Sequence, residues 1–244
     1  FPQPGRHSFW MKDMNFPLDF IWIRDGQVVQ ISTNIPTTQP PVTLTPDQPV
    51  DQVLEDPAGF IDKYGIKEIA FWDDILTINK TWTHDFCKEM EKENIAWSCY
   101  TRLDLVDEPM LQAMKKAGCW SIFFGIESGS DELLKNITKK MSVDQMKEKV
   151  KLVKKAGIEI RGSFMLGLPG ETPELARKTI ELAIEMDPDY AQFSITTPYP
   201  GTQLWDTYEK WGTLDKNFKD YHGWMPVFLP SGYKNREELM AMHR

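Results

Sequence analysis

Cysteine is scarce in this chain. Its 244 residues hold three, Cys87, Cys99 and Cys119, spaced too widely for a disulfide framework or a CxxC metal knuckle. Small buried thiols in a reducing, cytoplasmic compartment account for them. The four histidines are equally scattered, and none has the i,i+4 partner that would suggest a metal site. Long apolar runs are missing too. None reaches the roughly 18 to 20 residues a spanning helix needs, and the polar start FPQPGRHS does not read as a signal peptide. A first residue other than Met reads as a fragment or a processed product. No basic block offsets the net charge of −8, so a phosphate-backbone footprint is not expected. The expected partner is a small-molecule substrate of unknown identity, with no nucleic acid and no membrane.

What is present is an ordinary globular composition, 41% hydrophobic, at a length that suits one barrel-sized domain or a domain plus a module. The stretch that organises it is Gly118 to Ser130, GCWSIFFGIESGS. An apolar run closed by small residues reads as a strand buried on both faces, of the kind found in parallel sheets. Chemistry in parallel α/β folds sits at the carboxyl ends of strands, which puts Glu127 and Ser128 where a ligand is read. A simply solvated strand terminus is the alternative.

Residues 1 to 60 have a different texture. FPLDFIWIRDGQVVQISTN carries two β-rich runs around Asp25-Gly26, a hairpin signal. The stretch TNIPTTQPPVTLTPDQP is too rich in proline for a helix and reads as a long surface loop. Order resumes at PVDQVLEDPAGF, so this part is a small antiparallel β element.

From Ile66 the rhythm becomes strand, helix, strand, helix. Strands are expected at 66–74, 96–102, 118–130, in IEIRGSFMLGLPGET and in YAQFSITTPYPGT, each followed by a helical pattern, the first near Lys80 to Asn94 and the last around Leu204 to Trp211. Five parallel βα units make a partial (βα) barrel of α/β class. Right-handed crossovers place the strand ends on one face, which gathers Asp73, Asp74, Arg102, Glu127, Ser128, Gly167, Pro169, Thr196, Pro198 and Tyr199.

The words FWDD, RLDLVDEPMLQAMKKAGCWSIFFGIESGS, GSFMLGLPGET and PYPGT, in that order, resemble the core of radical S-adenosylmethionine (SAM) enzymes. The similarity is to the type usually preceded by a cobalamin-binding domain, and covers about Tyr64 to Arg244. The resemblance implies a partial core at 64–212 and the start of a C-terminal extension at 213–244. It puts Asp73 and Asp74 at the methionine end of SAM, Glu127 and Ser128 at the ribose, and Met165, Gly167 and Leu168 at the adenine. Carboxylates suit hydroxyls and an ammonium, and glycine permits close backbone approach. Glycines that only shape a tight loop are the alternative for Gly167.

The departure from that family is as informative. A first βα unit and its CxxxCxxC word, whose thiolates hold a [4Fe-4S] cluster, do not occur in this sequence. The three cysteines are expected to stand apart, with Cys87 on a helix and Cys119 at a strand start, the end remote from the chemistry. In their place, residues 1–63 resemble part of a small β-rich domain of unknown function marked by Phe9 to Lys12, FWMK. A join of two incomplete domains is expected within Lys63 to Glu68. The expected function is that of a radical SAM enzyme by descent, without reductive SAM cleavage in this chain. A non-catalytic scaffold, or a barrel using Asp73, Asp104 and Glu127 as hard metal ligands, is the second reading.

Overall fold

The structure is a computed structural model that describes residues 3–11, 14–25, 27–38, 42–57 and 67–243. Gly26 of the expected turn, Lys12 of the FWMK word and most of the expected join lie outside the described residues. Chain contacts divide the molecule into two units, Phe1–Ile69 and Ala70–Arg244.

In the first unit, β1 (Phe9–Trp10), β2 (Leu18–Arg24), β3 (Gln27–Ile35), β4 (Thr43–Leu44) and β5 (Gln52–Pro57) follow one another. Strand β2 lies between β3 and β5, antiparallel to both. Its alternation puts Leu18, Phe20 and Trp22 on one face, buried with Met11 and Val50, as period two dictates. The indole of Trp22 donates to Ser32 Oγ at 3.0 Å, so the ring is buried with its one donor satisfied. The proline-rich stretch is not wholly a loop. Thr43 and Leu44 pair with Phe9 and Trp10, because a β-branched residue and an apolar neighbour between proline clusters suffice for a two-residue ladder.

The second unit is built on a parallel sheet. Its strands are β6 (Glu68–Phe71), which crosses the division, β7 (Ala96–Thr101), β8 (Cys119–Glu127), β9 (Glu159–Leu166) and β10 (Tyr190–Ile195), laid side by side in chain order. The helices between them are α1 (Lys80–Glu93), α2 (Glu108–Lys116), α3 (Asp131–Asn136), α4 (Val143–Lys155) and α5 (Pro173–Met186). Side-chain caps start most of them, Asn79 for α1, Asp107 for α2, Thr172 for α5 and a full capping box from Ser142 and Gln145 for α4, each satisfying amides the first turn leaves unpaired. Gly118 turns the chain at φ 91°, and a Cβ there would stand 2.5 Å from the Ile95 carbonyl.

Strand β8 is not buried on both faces as its sequence suggests. Ile122, Phe124 and Ile126 are fully buried, whereas Phe123, Gly125 and Glu127 are half-buried. The same alternation holds in β9, where Ile160, Gly162 and Phe164 are buried and Arg161, Ser163 and Met165 are partly open. Helices α2, α4 and α5 contact β8 and β9 and seal the apolar face. The other face is the concave side of an open half-barrel. The chain then runs through α6 (Gln203–Thr207), an antiparallel pair β11 (Gly212–Leu214) and β12 (Phe228–Pro230), and α7 (Arg236–His243). Tyr233 and Leu239 join Leu166, Ala176 and Ile195 in one buried cluster, so this segment completes the core beside β9 and β10.

Candidate functional site

The carboxyl ends of β8 and β9 are adjacent, with Gly125 opposite Ser163 and Glu127 opposite Phe164. Glu127 ends its strand at φ 72°, a left-handed conformation a non-glycine residue holds at a cost. That turn folds its carboxylate back over Gly125, where a Cβ would stand 2.2 Å from Oε1. Lys139 lies beside it, donating to the Gly125 carbonyl at 2.7 Å and to Glu127 Oε1 at 3.4 Å. Burial pushes the Glu127 carboxyl above its ordinary value, partly offset by Lys139. Its Oε2 is uncommitted among the described residues. On the neighbouring strand end, Arg102 grips Asp104 through Nε at 2.9 Å and Nη2 at 2.8 Å. The guanidinium holds the Asp104 carboxyl below the usual range, and Lys139 adds to the effect. Two acids and two bases thus balance at the mouth of β7 and β8.

The other expected residues are placed differently. Ser128 is fully buried, its hydroxyl meeting Thr179 Oγ1 at 3.2 Å and accepting from the Ser130 amide at 3.1 Å. Gly129 has no room for a side chain, since a Cβ would stand 2.2 Å from the Lys178 carbonyl of α5. The Ser-Gly-Ser word therefore docks a helix. Met165 is half-buried on the concave face, and Leu168 is buried. Asp73 and Asp74 are both exposed past the end of β6, two strands from Glu127, about 10 Å at ordinary strand spacing.

After β9 the chain turns at Gly167, φ 77°, whose amide donates to Glu171 Oε1 at 2.5 Å. The Tyr233 hydroxyl donates to the same oxygen at 2.7 Å, while Oε2 is buried with no partner. Burial raises the Glu171 carboxyl to about 7 against these hydrogen bonds. Lys139 and Tyr233 carry no sequence signal, since each stands in an unremarkable polar or loop stretch. Glu171 stood in plain view in GLPGET, but only folding back from Tyr233 makes it a junction.

Cys87 lies on α1, Cys99 within β7 and Cys119 at the start of β8. The Cys119 thiol donates to the Ser121 carbonyl at 3.8 Å, and Cys99 on the adjacent strand and Cys87 on α1 both lie near enough to raise it. Each is at most 2% exposed. Burial pushes the Cys87 thiol up to about 12, and burial and then Cys99 raise that of Cys119.

Residues 27–183 match the profile of the radical SAM superfamily. The chain belongs to that superfamily. This radical SAM match starts ahead of the join expected within Lys63 to Glu68. Among curated relatives, an uncharacterized methyltransferase of Pyrococcus horikoshii is 42% identical over 159 residues, 64% of this chain and 35% of the relative. An anaerobic magnesium-protoporphyrin IX monomethyl ester cyclase of Rubrivivax gelatinosus is 28% identical over 78% of this chain and 36% of its own length. The chain thus spans about a third of these relatives. Of solved structures, the radical SAM methyltransferase TsrM of Kitasatospora setae, with cobalamin and a [4Fe-4S] cluster bound, superposes with a TM-score of 0.51. It is 19% identical and covers 55% of this chain and 27% of that one, a likeness of fold.

Radical SAM proteins bind SAM at an iron-sulfur cluster, and the residues of this chain fit the two groups unequally. Iron takes thiolates, whereas Cys87 on α1 and Cys119 at the start of β8 are sealed thiols with raised pKa, away from the carboxyl ends of the strands; these cysteines do not fit a [4Fe-4S] cluster. Glu127, half-buried with its Oε2 uncommitted among the described residues, fits a ribose hydroxyl, whereas Gly167 is buried, gives its amide to Glu171 and would place a Cβ 3.1 Å from Leu239. Asp73, Asp104 and Glu127 do not assemble as metal ligands. Asp104 is spent on Arg102, and among the described residues no group of three or more His, Cys, Asp or Glu could hold a metal ion. No helix among the described residues is long and apolar enough to cross a membrane.

Proposed function

We propose that this chain is the nucleoside-binding part of a radical SAM core of the cobalamin-linked type, working in the cytoplasm on a small-molecule substrate. In that family SAM at a reduced cluster supplies a 5'-deoxyadenosyl radical that abstracts hydrogen from the substrate. The observation that carries the reading is the half-buried Glu127, held in a strained turn with one oxygen free, one strand from the Gly167 loop. Glu127 accepts from ribose hydroxyls, with Lys139 offsetting part of the burial that raises its carboxyl. The adenine is assigned to the end of β9, at Met165, Gly167 and Leu168, of which Met165 on the concave face is the open one. Ser128 supports the turn from beneath through Thr179. Asp73 and Asp74 accept from the ammonium of the methionine end. The printed names of the relatives favour methyl transfer or ring closure as the outcome of the reaction.

The same reading holds that this chain by itself does not cleave SAM reductively, and supports a division into a β-rich part at 1–63, a core at 64–212 and an extension from 213. Calorimetric titration is expected to show weak, iron-independent SAM binding. Glu127→Ala lowers it about tenfold or more, the worth of a hydrogen bond to a charged group. Tight binding indifferent to that substitution overturns the assignment. After anaerobic treatment with iron, sulfide and a strong reductant, the protein is expected to yield no 5'-deoxyadenosine; multiple turnovers would refute the proposal.

A further inference from the structure

A row of side chains crosses the concave face at mid-strand. Tyr100 on β7 stands opposite Phe123 on β8, Phe123 opposite Arg161 on β9, and Arg161 opposite Tyr190 on β10. The rings of Tyr100 and Phe123 are 4.7 Å apart, and Trp72, just past β6, lies 5.3 Å from Tyr100. The Arg161 guanidinium sits 5.9 Å from the Phe123 centroid and 5.4 Å from that of Tyr190. Trp72 and Tyr190, the ends of the row, are 77% and 52% exposed.

Arg161 differs from every other described arginine. Arg6 donates to a carbonyl, and Arg24, Arg102, Arg177 and Arg236 each pair with a carboxylate. Among the described residues Arg161 has no hydrogen bond and no ion pair. Two rings hold its plane by cation–π contact, and its five N–H donors are unspent. Lys139 is committed to Glu127 and the Gly125 carbonyl.

We propose that this face is a subsite for a flat, conjugated or aromatic ring compound that carries a carboxylate. The ring lies against Trp72 and Tyr100, and the carboxylate takes the Arg161 fork, a planar group matched to two oxygens. Rings favour a flat partner because offset and edge contacts between π-systems add to burial. A carboxylate fits better than a phosphate dianion, because the row offers one free cation and no second. The proposal rests on reading the concave face as the substrate side of the radical SAM core, and names the substrate class of that side.

The probes are 2-naphthoate, its neutral methyl ester and 2-naphthyl phosphate, titrated by calorimetry into the whole chain without SAM or iron. Naphthoate is expected to bind about tenfold or more tightly than the ester, as a charge-assisted bidentate pair implies, and more tightly than the phosphate. This comparison uses the unaltered protein. Arg161→Gln is expected to bring naphthoate to the affinity of the ester with unchanged circular dichroism, and Arg161→Lys to fall between. Equal binding of acid and ester, a preference for the phosphate, or no binding of any probe overturns the proposal. Failure of the nucleoside reading alone would appear separately, as SAM binding indifferent to Glu127→Ala beside intact naphthoate binding.

Discussion

Glu171 gives one carboxylate oxygen to both the Gly167 amide and the Tyr233 hydroxyl and leaves the other bare in the interior. Its pKa is raised from the ordinary 4.5 to about 7, with burial the leading cause. A carboxyl with a raised folded-state pKa binds more protons folded than unfolded between those values. Its contribution is therefore complete below pH 4.5 and is lost as pH climbs to about 7; the change is on the order of 3 kcal/mol at most. Glu171→Gln keeps an acceptor for both donors and removes the titration. Denaturant unfolding from pH 4.5 to 8 is expected to show wild type losing stability relative to the variant mainly below pH 7, and a pH-independent difference would contradict the account. Asp104 has the opposite sign. Its lowered pKa, set first by Arg102, gives stability at neutral pH that disappears in acid.

At the scale of elements, Gly129 joins the end of β8 to α5 because nothing larger fits beneath the Lys178 carbonyl. Gly129→Ala is expected to cost about 1 to 3 kcal/mol, the usual penalty of overpacking, and to lower the melting temperature with the sheet intact. An unchanged melting temperature would show that α5 can yield. Periodicity and caps made these elements legible in advance. The first strand-to-helix pattern falls on α1, Gly118 stops α2, and the parallel strands come in the expected order, because each rests on local rules. What escaped the sequence was non-local. Burial of β8 on one face only depends on how far the barrel closes. The Tyr233 contact needs the C-terminal segment to return to β9. The strand-end position of Glu127 was legible in its motif, whereas Ser128 is drawn inward by Thr179, a contact 51 residues away in the chain, and Gly167 gives its amide to Glu171.

Over the whole molecule, each unit has a core of its own, that of the first built around Trp22 and Phe20. Trp22→Ala is expected to destabilise the first unit by about 3 to 5 kcal/mol, the typical cost of removing a buried aromatic. Urea unfolding should then show a transition of the first unit moved to lower denaturant and that of the second unchanged; a single transition shifted as a whole would show the units fold as one. The strained turn at Glu127 bears on the chain's history as well. Glycine would occupy φ 72° without strain, so a population of variants propagated for heat resistance alone should exchange Glu127 for glycine early and repeatedly. A lineage that must still capture its ligand would refuse that exchange. Parallel selections, one for heat survival and one for retention on an adenosine resin, would record at a single codon what the fold gives up for its function.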